Sequence, residues 1–344
     1  MGSSVGQTHV LSSRMDGRWR LSQSYFSRNL DKNKSSHKHY NISYRSEFNN
    51  VEDFLINTIN DTDIYVILTP SPDHFDVMSK ICRLNGNFLC EKPVVSDREQ
   101  AEKLRNMLSQ HPGLHLSVHN FSGYPMVREI KHLIQENAIG NIVHFDCEFL
   151  VDTFVQNSLG ESMPSWRKID GSIPALLLDL GPHVHHLSDF LISSKISTTH
   201  SRLRKLGNSV GIIDYADIYG DYDCGAIYSF RMSRVHAGNK VNVKIHVYGS
   251  KGSISWQHDR ADELILYNKG QGHSKLTREN IRSSADRWSR GKTGNPTGHL
   301  ESFANLYCDI ADMAQHGMDC PYILSIESAL QGIEFLADAA DNTI

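Results

Sequence analysis

Several features that define other classes of protein are missing from this sequence. No stretch approaches about eighteen consecutive apolar residues, so the sequence predicts no membrane-spanning helix. The first thirty residues carry four arginines and no apolar core, and therefore predict no secretory signal. Basic residues are not in excess, because 35 Lys and Arg stand against 39 Asp and Glu with a net charge of −4. This balance argues against a surface for nucleic acid.

Cysteine is also sparse and unpatterned. The 6 cysteines are scattered through 344 residues without a Cys-x-x-Cys pair. Such spacing favours reduced thiols and a cytoplasmic protein over a disulfide framework or a zinc site. The content of 39% hydrophobic and 22% charged residues is typical of a globular protein, and the length favours two domains.

The most informative stretch is residues 88–93, which ends in Glu91-Lys92-Pro93. It follows an apolar strand pattern at 64–68, then Thr69-Pro70 and a helix pattern at 73–84. The tripeptide is therefore predicted at the carboxyl end of a strand, where open α/β sheets bind ligands. Lys92 is a candidate for proton chemistry, and the alternative is a solvated lysine in a loop.

Two separated motifs stand in an order that is typical of one enzyme family. The first combines Thr69-Pro70, His74 and Glu91-Lys92-Pro93, and the second is Asp179-Leu180-Gly181-Pro182-His183. Together they resemble the glucose–fructose oxidoreductase, inositol dehydrogenase and MocA family of nicotinamide-dependent dehydrogenases. Softer similarity covers nearly the full length. The resemblance implies a Rossmann-type domain for NAD or NADP, followed by a domain for the substrate.

The pattern of elements predicts the same α/β plus α+β fold class. Up to residue 118, helix patterns at 51–60, 73–84 and 97–108 alternate with strand patterns, including a weak strand at 21–26 and another at 114–118. Such alternation predicts a parallel sheet with right-handed crossovers. The Ser, Lys and Asn-rich run at 29–39 is interpreted as a surface loop.

From residue 119 onward the sequence predicts a large open, mainly antiparallel sheet. A helix pattern at 125–137 precedes the β-type runs at 142–150, 215–233, 240–256 and 263–267. In residues 241–247 apolar side chains alternate with polar ones, which indicates one wet face. Residues 249–252, Gly-Ser-Lys-Gly, predict a tight hairpin, and helices are predicted at 297–316 and 325–340.

Three domains or segments are predicted from these patterns. A dinucleotide-binding domain spans 1–118, and a substrate and oligomerisation domain spans 119–318. The C-terminal helix, 319–344, returns to the first domain according to the family resemblance. We expect a homo-oligomer, a dimer or tetramer, formed through the open sheet.

His183 is the predicted general base for hydride transfer from an alcohol, because histidine side chains ordinarily titrate near neutral pH. Gly181 is expected to cap a helix that begins at Pro182, which places His183 in the first turn. Asp179 is expected to orient the imidazole, Lys92 to bind the substrate hydroxyl, and Glu91 to orient the backbone or Lys92. The alternative for His183 is a buried structural histidine. The neighbouring His185 and His186 lack evident further ligands, so no metal is predicted.

The cofactor and substrate residues follow from the same resemblance. The predicted cofactor-binding residues are Gly2, Ser4, Val5, Gly6, Ser27, Arg28, Thr69, Pro70, His74, Glu91 and Lys92. No acid precedes Asp31 after the strand predicted at 21–26, and a Ser-Arg pair suits a 2′-phosphate, so NADP is favoured over NAD. The predicted substrate-binding residues are Asn120, Tyr124, Trp166, Arg167 and His183, with domain packing as the alternative for the aromatic and arginine residues. Residues 172–178 replace a usual glycine-rich stretch of the family, which puts the substrate fit in doubt.

The start of the chain carries a further expectation. Gly6 and His9 resemble the tail of the family's glycine-rich phosphate turn, which a strand of about five or six residues should precede. We therefore expect the chain as given to lack the first Rossmann strand, through a misplaced start or a decayed gene. It should then bind dinucleotide weakly and be poorly soluble, and an extension of about ten residues should raise affinity and melting temperature.

The predicted function is therefore an NAD(P)-dependent dehydrogenase that acts on a secondary alcohol or ketone of a sugar, polyol, inositol or sugar derivative. The rival hypothesis is a non-catalytic protein on the same scaffold that senses a dinucleotide or a sugar. Lys92, Asp179 and His183 together favour the enzyme, because a sensor needs no such set.

Overall fold

The computed structural model describes residues 4–42, 48–155, 165–207, 211–283, 290–317 and 320–344. Gly2 lies outside these ranges, as does the side chain of Trp166. The chain divides into two compact units. The first unit comprises Met1–Val95, Glu99–Gly123 and His299–Glu327, and the second comprises Ser96–Arg98, Tyr124–Gly298 and Ser328–Ile344.

The first unit is a small α/β structure. Its elements are α1 (Ser4–Arg14), α2 (Leu30–His39), α3 (Val51–Thr58), β1 (Tyr65–Ile67), α4 (His74–Arg83), β2 (Phe88–Cys90), α5 (Arg98–Leu108), β3 (His115–Ser117) and α8 (His299–His316). In the described part of the chain the sheet has the order β1-β2-β3, and both pairings are parallel. The predicted parallel sheet is thus confirmed, and the carboxyl ends of its strands share one edge.

The core of the first unit joins the sheet to α8. Leu89 of β2 and Leu116 of β3 are buried with Phe303, Tyr307 and Ile310 of α8. This packing explains why residues 299–327 belong to the first unit. The observed grouping therefore differs from the predicted one near the C-terminus, because α8 packs here while residues 328–344 belong to the second unit.

Two local predictions in the first unit are wrong. Residues 30–39 form α2 and not a loop, because Asn29 caps the helix by accepting the Lys32 backbone N–H, and His37, Lys38 and His39 occupy its last turn. Residues 21–26 form no strand. The backbone N–H of Phe26 is donated to the Asn33 side chain, at 2.9 Å, instead of to a neighbouring strand.

The second unit is built on a large mixed sheet. Its elements are α6 (Pro125–Gln135), β4 (Ile142–Leu150), α7 (Ala175–Ile192), β5 (His200–Arg204), β6 (Tyr215–Asp221), β7 (Ile227–Ser233), β8 (Asn242–Gly249), β9 (Gly252–Gln257), β10 (Glu263–Asn268), β11 (Gly272–Thr277) and α9 (Ile326–Asp341). Within the described ranges the strand order is β11-β10-β9-β8-β4-β7-β6-β5. Only the β4–β7 pairing is parallel among these strands, so the predicted open, mainly antiparallel sheet is confirmed.

One face of this sheet is buried and the other is polar. Phe145, Cys147 and Phe149 of β4 are buried, and His144, Asp146 and Glu148 alternate with them on the opposite face. The predicted hairpin at 249–252 joins β8 to β9. A side chain at Gly249 would collide with the Ile139 carbonyl, and one at Gly252 with the Tyr267 carbonyl, so both turn positions require glycine.

Two further observations concern the chain as a whole. Among the described residues, none of the helices combines the length and apolarity that a membrane crossing needs. The six cysteines all lie within the described ranges and carry free thiols.

Candidate active site

The Thr-Pro and Glu-Lys-Pro segments of the first unit are held together by His74. These segments follow β1 and β2, whose carboxyl ends lie on the same edge of the parallel sheet. His74 is buried, with Nδ1 2.8 Å from the Pro93 carbonyl and Nε2 2.9 Å from the Thr69 carbonyl. Burial lowers the pKa of His74, although both carbonyls and Glu91 favour the charged ring. The ring therefore joins the two motif segments through these two hydrogen bonds.

Glu91 is held by hydrogen bonds on both carboxylate oxygens. Oε1 lies 2.9 Å from His9 Nε2, and Oε2 accepts the Lys92 backbone N–H at 3.1 Å. On the other side of the imidazole, His9 Nδ1 lies 2.7 Å from the Tyr307 hydroxyl. Burial raises the pKa of Glu91, but the hydrogen bond and charge of His9, with Lys92, outweigh it and leave the pKa lowered. Glu91 is thus a carboxylate tied to the backbone of Lys92.

Polar groups at this edge of the sheet fit a dinucleotide. The buried Thr69 hydroxyl has no hydrogen-bond partner within the described part of the chain, as expected for a group that meets a ligand. The first turn of α1, which begins at Ser4 and includes Val5 and Gly6, holds no acidic residue. Backbone N–H groups in the first turn of a helix, together with the helix dipole, suit a pyrophosphate. His9, on the same helix, places α1 beside the end of β2.

Ser27 and Arg28 lie before the N-terminus of α2. The Ser27 hydroxyl accepts the Asn29 backbone N–H, at 3.1 Å. The Arg28 side chain is 83% exposed, with Nη2 3.4 Å from Asp73 Oδ2. Arg28 is therefore a weakly held cation on the surface, and its guanidinium is available to bind a phosphate.

The helix that carries the second motif starts earlier than predicted. Helix α7 begins at Ala175, whose backbone N–H is donated to Asp170 Oδ1 at 2.9 Å, so Pro182 lies inside the helix. Gly181 is not a cap, because it also lies inside the helix. Its lack of a side chain makes room for Leu336. His183 therefore lies in the middle of α7 and not in its first turn. The prediction failed because the start of α7 is set by Asp170, outside the motif.

Asp179 and His183 are four residues apart on α7 and therefore share one face of the helix. Asp179 Oδ2 accepts a hydrogen bond from Arg234 Nη2 at 3.0 Å, and Oδ1 lies 3.6 Å from Arg167 Nη2. The His183 ring lies 5.5 Å from the Phe149 ring. Arg234 follows β7 and is fully buried, and it also donates to the Ala175 carbonyl at 3.2 Å. Asp179 is therefore surrounded by positive charge.

The predicted substrate residues occupy different positions. Asn120 is buried in a short helix, Asn120–Gly123, of the first unit. Tyr124 is buried in the second unit, where its hydroxyl lies 2.9 Å from His258 Nε2. Arg167 is partly exposed beside Asp179.

The adjacent histidines of α7 have an apolar environment. His185 is buried against the Phe335 ring at 5.3 Å, and burial lowers its pKa to about 4 although Asp189 opposes the shift. His186 is stacked on Phe190 at 5.9 Å. Both rings are therefore part of the packing around α7.

Sequence reasoning missed two residues of these networks and gave a third no role. Tyr307 and Arg234 carried no signal, because each lies outside the motifs. His9 was noted only through its spacing from Gly6, and that spacing was the signal available.

The parallel sheet, the ligand edge and the uncharged helix start define a Rossmann-type nucleotide-binding unit joined to a second, sheet-based unit. Residues 2–119 match the family model described as an oxidoreductase family with an NAD-binding Rossmann fold. Residues 127–255 match the GFO/IDH/MocA C-terminal domain. The chain belongs to the Gfo/Idh/MocA family of oxidoreductases, which confirms the resemblance seen in the sequence.

Curated relatives are 20–24% identical to this chain over the aligned residues. The uncharacterized oxidoreductase YfiI of Bacillus subtilis is 24% identical over 72% of this chain and 65% of its own length. Levoglucosan dehydrogenase of Pseudarthrobacter phenanthrenivorans is 24% identical over 60% of this chain and 58% of its own. The chain thus spans less than two thirds of the length of these relatives. The NADP(+)-dependent scyllo-inositol 2-dehydrogenase IolW of Bacillus subtilis is 20% identical over 82% of this chain and 76% of its own.

Solved structures show the same fold. An inositol dehydrogenase homolog from Azotobacter vinelandii, complexed with NADH and myo-inositol, has a TM-score of 0.90 and 20% identity, with 99% of this chain and 92% of that chain covered. An oxidoreductase from Sinorhizobium meliloti has a TM-score of 0.88 and 23% identity, with 99% and 95% covered.

Proposed function

We propose that this protein is an NAD(P)-dependent dehydrogenase for a secondary alcohol or ketone of a sugar, polyol, inositol or sugar derivative. The observation that carries the proposal is the position of Lys92. It lies at the ligand edge of the parallel sheet, and its backbone is bound to the carboxylate of Glu91. The names of relatives, such as levoglucosan dehydrogenase and inositol 2-dehydrogenase, support the carbohydrate-like substrate class.

The first unit would hold the cofactor. The backbone N–H groups of Ser4, Val5 and Gly6 suit the pyrophosphate, and the Thr69-Pro70 segment and His74 shape the wall beside Lys92. The exposed Arg28, next to Ser27, suits a 2′-phosphate and supports a preference for NADP. When bound, the nicotinamide supplies the hydride acceptor or donor.

The remaining chemistry is a proton transfer that this chain's own residues supply. Lys92 Nζ would donate a hydrogen bond to the substrate oxygen and stabilise negative charge as it develops there. His183 would take the hydroxyl proton as general base, and Asp179 would stabilise the imidazolium that results. The hydrogen bond from Arg234 supports Asp179 in that role, because it favours the ionised carboxylate.

The substrate would be bound by Asn120, Tyr124, Trp166 and Arg167. Aromatic and guanidinium groups suit the faces and hydroxyls of sugar rings. The contact between Arg167 and Asp179 supports this assignment for Arg167, because it places a partly exposed guanidinium beside the α7 motif.

We also propose that the polar face of the large sheet joins copies of the chain in a dimer or tetramer. Tyr219, Ile227 and Tyr248 are exposed on that face, on three of its strands. Light scattering at micromolar concentration tests the assembly, and a monomer would contradict it.

A substrate panel tests the proposed function. Purified protein should reduce NAD or NADP with at least one sugar, polyol or inositol, and Lys92→Ala and His183→Ala should each lower kcat by at least about a thousandfold. Lys80→Ala and His111→Ala, which remove an exposed ion pair and an exposed hydrogen bond, are the controls and should keep full activity. Unchanged rates in both site variants would reject the mechanism. Cofactor binding without turnover on the whole panel would favour the sensor.

A further inference from the structure

We propose that His9 is a positioning residue for Lys92, which it fixes through the Glu91 carboxylate, and that Tyr307 holds His9 in place. The inference rests on the proposed function, in which Lys92 contacts the substrate. It adds a role for two residues that lie outside the Glu-Lys-Pro motif.

A continuous chain of hydrogen bonds leads from Tyr307 to the backbone of Lys92. The Tyr307 hydroxyl lies 2.7 Å from His9 Nδ1, and His9 Nε2 lies 2.9 Å from Glu91 Oε1. The Lys92 backbone N–H completes the chain at Glu91 Oε2, at 3.1 Å. Because each carboxylate oxygen has its own partner, a rotation of the Glu91 side chain breaks both of its bonds together. His9 therefore determines the orientation in which Glu91 holds Lys92.

The His9 and Tyr307 end of the cluster is shielded from water, which makes its geometry restrictive, while the Glu91 side chain is 14% exposed. His9 is 3% exposed and Tyr307 is 5% exposed, and the Phe303 ring packs edge-on against His9 at 5.1 Å. In such a site no solvent molecule replaces a lost partner, so each hydrogen bond is costly to break. Fully satisfied buried networks of this kind keep their members in one arrangement.

Two groups of the cluster, Glu91 and Tyr307, have a defined protonation state. Glu91 is ionised, because His9 and Lys92 outweigh the effect of burial on its pKa. His9 Nε2 then donates its hydrogen to Glu91, and His9 Nδ1 shares the second hydrogen bond of the ring with the Tyr307 hydroxyl. Burial, followed by the charge of Glu91, raises the pKa of Tyr307, which keeps its hydroxyl protonated as a donor.

The backbone on both sides of Lys92 is held by a histidine. Before Lys92, His9 acts through Glu91, and after it His74 contacts the Pro93 carbonyl at 2.8 Å. The backbone from which the Lys92 side chain extends is therefore held in position. A displacement of about 1 Å at a reacting group can lower a rate on the order of a hundredfold, so loss of this support should be visible in kcat.

Two matched hydroxyl deletions test the inference. Tyr307→Phe removes the hydroxyl that contacts His9, and Tyr65→Phe removes an equally buried hydroxyl, 2.9 Å from Thr58 Oγ1, elsewhere in the same unit. His9→Gln removes the imidazole itself. For each variant we would measure the melting temperature, kcat and KM, and the pH profile of Lys92 acylation by trace acetic anhydride, read by mass spectrometry.

The expected result separates positioning from stability. Both tyrosine variants should lose a few degrees of melting temperature, on the order expected for one buried hydrogen bond. His9→Gln should lower kcat about a hundredfold and Tyr307→Phe about tenfold, with the sugar KM changed less than about threefold, whereas Tyr65→Phe keeps its kcat. The acylation profile of Lys92 should shift in His9→Gln and Tyr307→Phe only, with the exposed Lys103 as internal reference.

One combination of melting temperature, kcat and acylation profile would overturn the inference. If His9→Gln and Tyr307→Phe lower the melting temperature but leave kcat and the Lys92 profile as in Tyr65→Phe, the cluster only stabilises the fold. If His9→Gln does not fold, Tyr307→Phe decides alone, since it loses a single oxygen atom. A wild-type protein without turnover would reject the proposed function, while a shifted Lys92 profile in the variants would still support the positioning role.

Discussion

Two carboxylates of the sequence motifs, Glu91 and Asp179, are held in different ways. Glu91, in the first unit, is held by a histidine and a backbone N–H. Asp179, in the second unit, is held by the buried Arg234, with Arg167 at 3.6 Å. The first carboxylate depends on an imidazole and a backbone amide, and the second on a guanidinium that keeps its charge.

The difference fits the roles proposed for the two carboxylates. An arginine that donates a hydrogen bond to Asp179 favours the ionised carboxylate, which suits a residue that stabilises a neighbouring imidazolium. A histidine that donates one hydrogen bond suits a residue whose task is orientation, because the bond is directional and an imidazole carries no permanent charge. The predictions below test this contrast, beginning with the largest effect.

Arg234→Met should destabilise the protein by about 3–5 kcal/mol, because it breaks the ion pair of a buried arginine. Methionine is apolar but has a similar length, so the substitution mainly removes the charge. The Arg234 side chain is 1% exposed and donates to both Asp179 and the Ala175 carbonyl. Urea unfolding measures the loss. Arg231→Met is the control on β7, since that side chain is 46% exposed, and it should cost at most about 1 kcal/mol. Equal costs for the two variants would contradict the contrast.

Low pH should lower the free energy of unfolding of the protein through His185 on α7. Its folded pKa of about 4 lies below the usual 6.5, so the unfolded chain takes up the proton first. Stability should therefore fall as the pH drops from about 6.5 to about 4, by on the order of 3 kcal/mol at about 1.4 kcal/mol per pKa unit. His185→Phe should flatten this slope in unfolding experiments at pH 7 and pH 5. A slope that survives the substitution would show that another group causes it.

Glu91→Gln should cost about 1–3 kcal/mol at pH 7, because it removes the charge that His9 and Lys92 favour. The folded pKa of Glu91 is lowered, so its contribution is present above about pH 4.5 and is lost as the pH falls through the folded value. The difference from wild type should accordingly shrink below pH 4.5. Glu327→Gln, which loses an exposed pair with Arg105, is the control and should cost less than about 1 kcal/mol.

Arg28→Ala lies outside both carboxylate networks and should have the smallest effect. We expect about a tenfold loss of affinity for NADP, or about 1.4 kcal/mol, with NAD affinity unchanged. The free energy of unfolding should change by less than about 0.5 kcal/mol, since Arg28 is exposed and its contact with Asp73 is long. Fluorescence titration of both reduced cofactors measures the preference. A preference for NAD that is the same in wild type and variant would reject the assignment of Arg28.

Much of the fold followed from local sequence patterns. The alternation in residues 241–247 predicted β8 with one buried face, and the glycines at 249 and 252 predicted the hairpin that follows. The Glu-Lys-Pro motif predicted that Lys92 follows a strand at the ligand edge. These features depend on periodicity and turn chemistry within about ten residues, and a single sequence carries that information directly.

The failures arose where a single side-chain hydrogen bond overrides the local pattern. A side-chain cap made residues 30–39 helical, Asn33 took the N–H that a strand at 21–26 would have paired, and Asp170 moved the start of α7 forward. Each depends on a single polar contact that has no periodicity.

The sequence by itself determined the family, the alternating helices and strands of residues 51–118 and the motif residues Lys92, Asp179 and His183. Only the tertiary structure decided which groups hold them. His9 and Tyr307 are separated from each other by 298 positions, and Arg234 from Asp179 by 55. Such pairs meet because the packing of buried helices and strands brings them together, and a buried polar group must then find a partner at hydrogen-bond distance. No pattern along the chain encodes that distance.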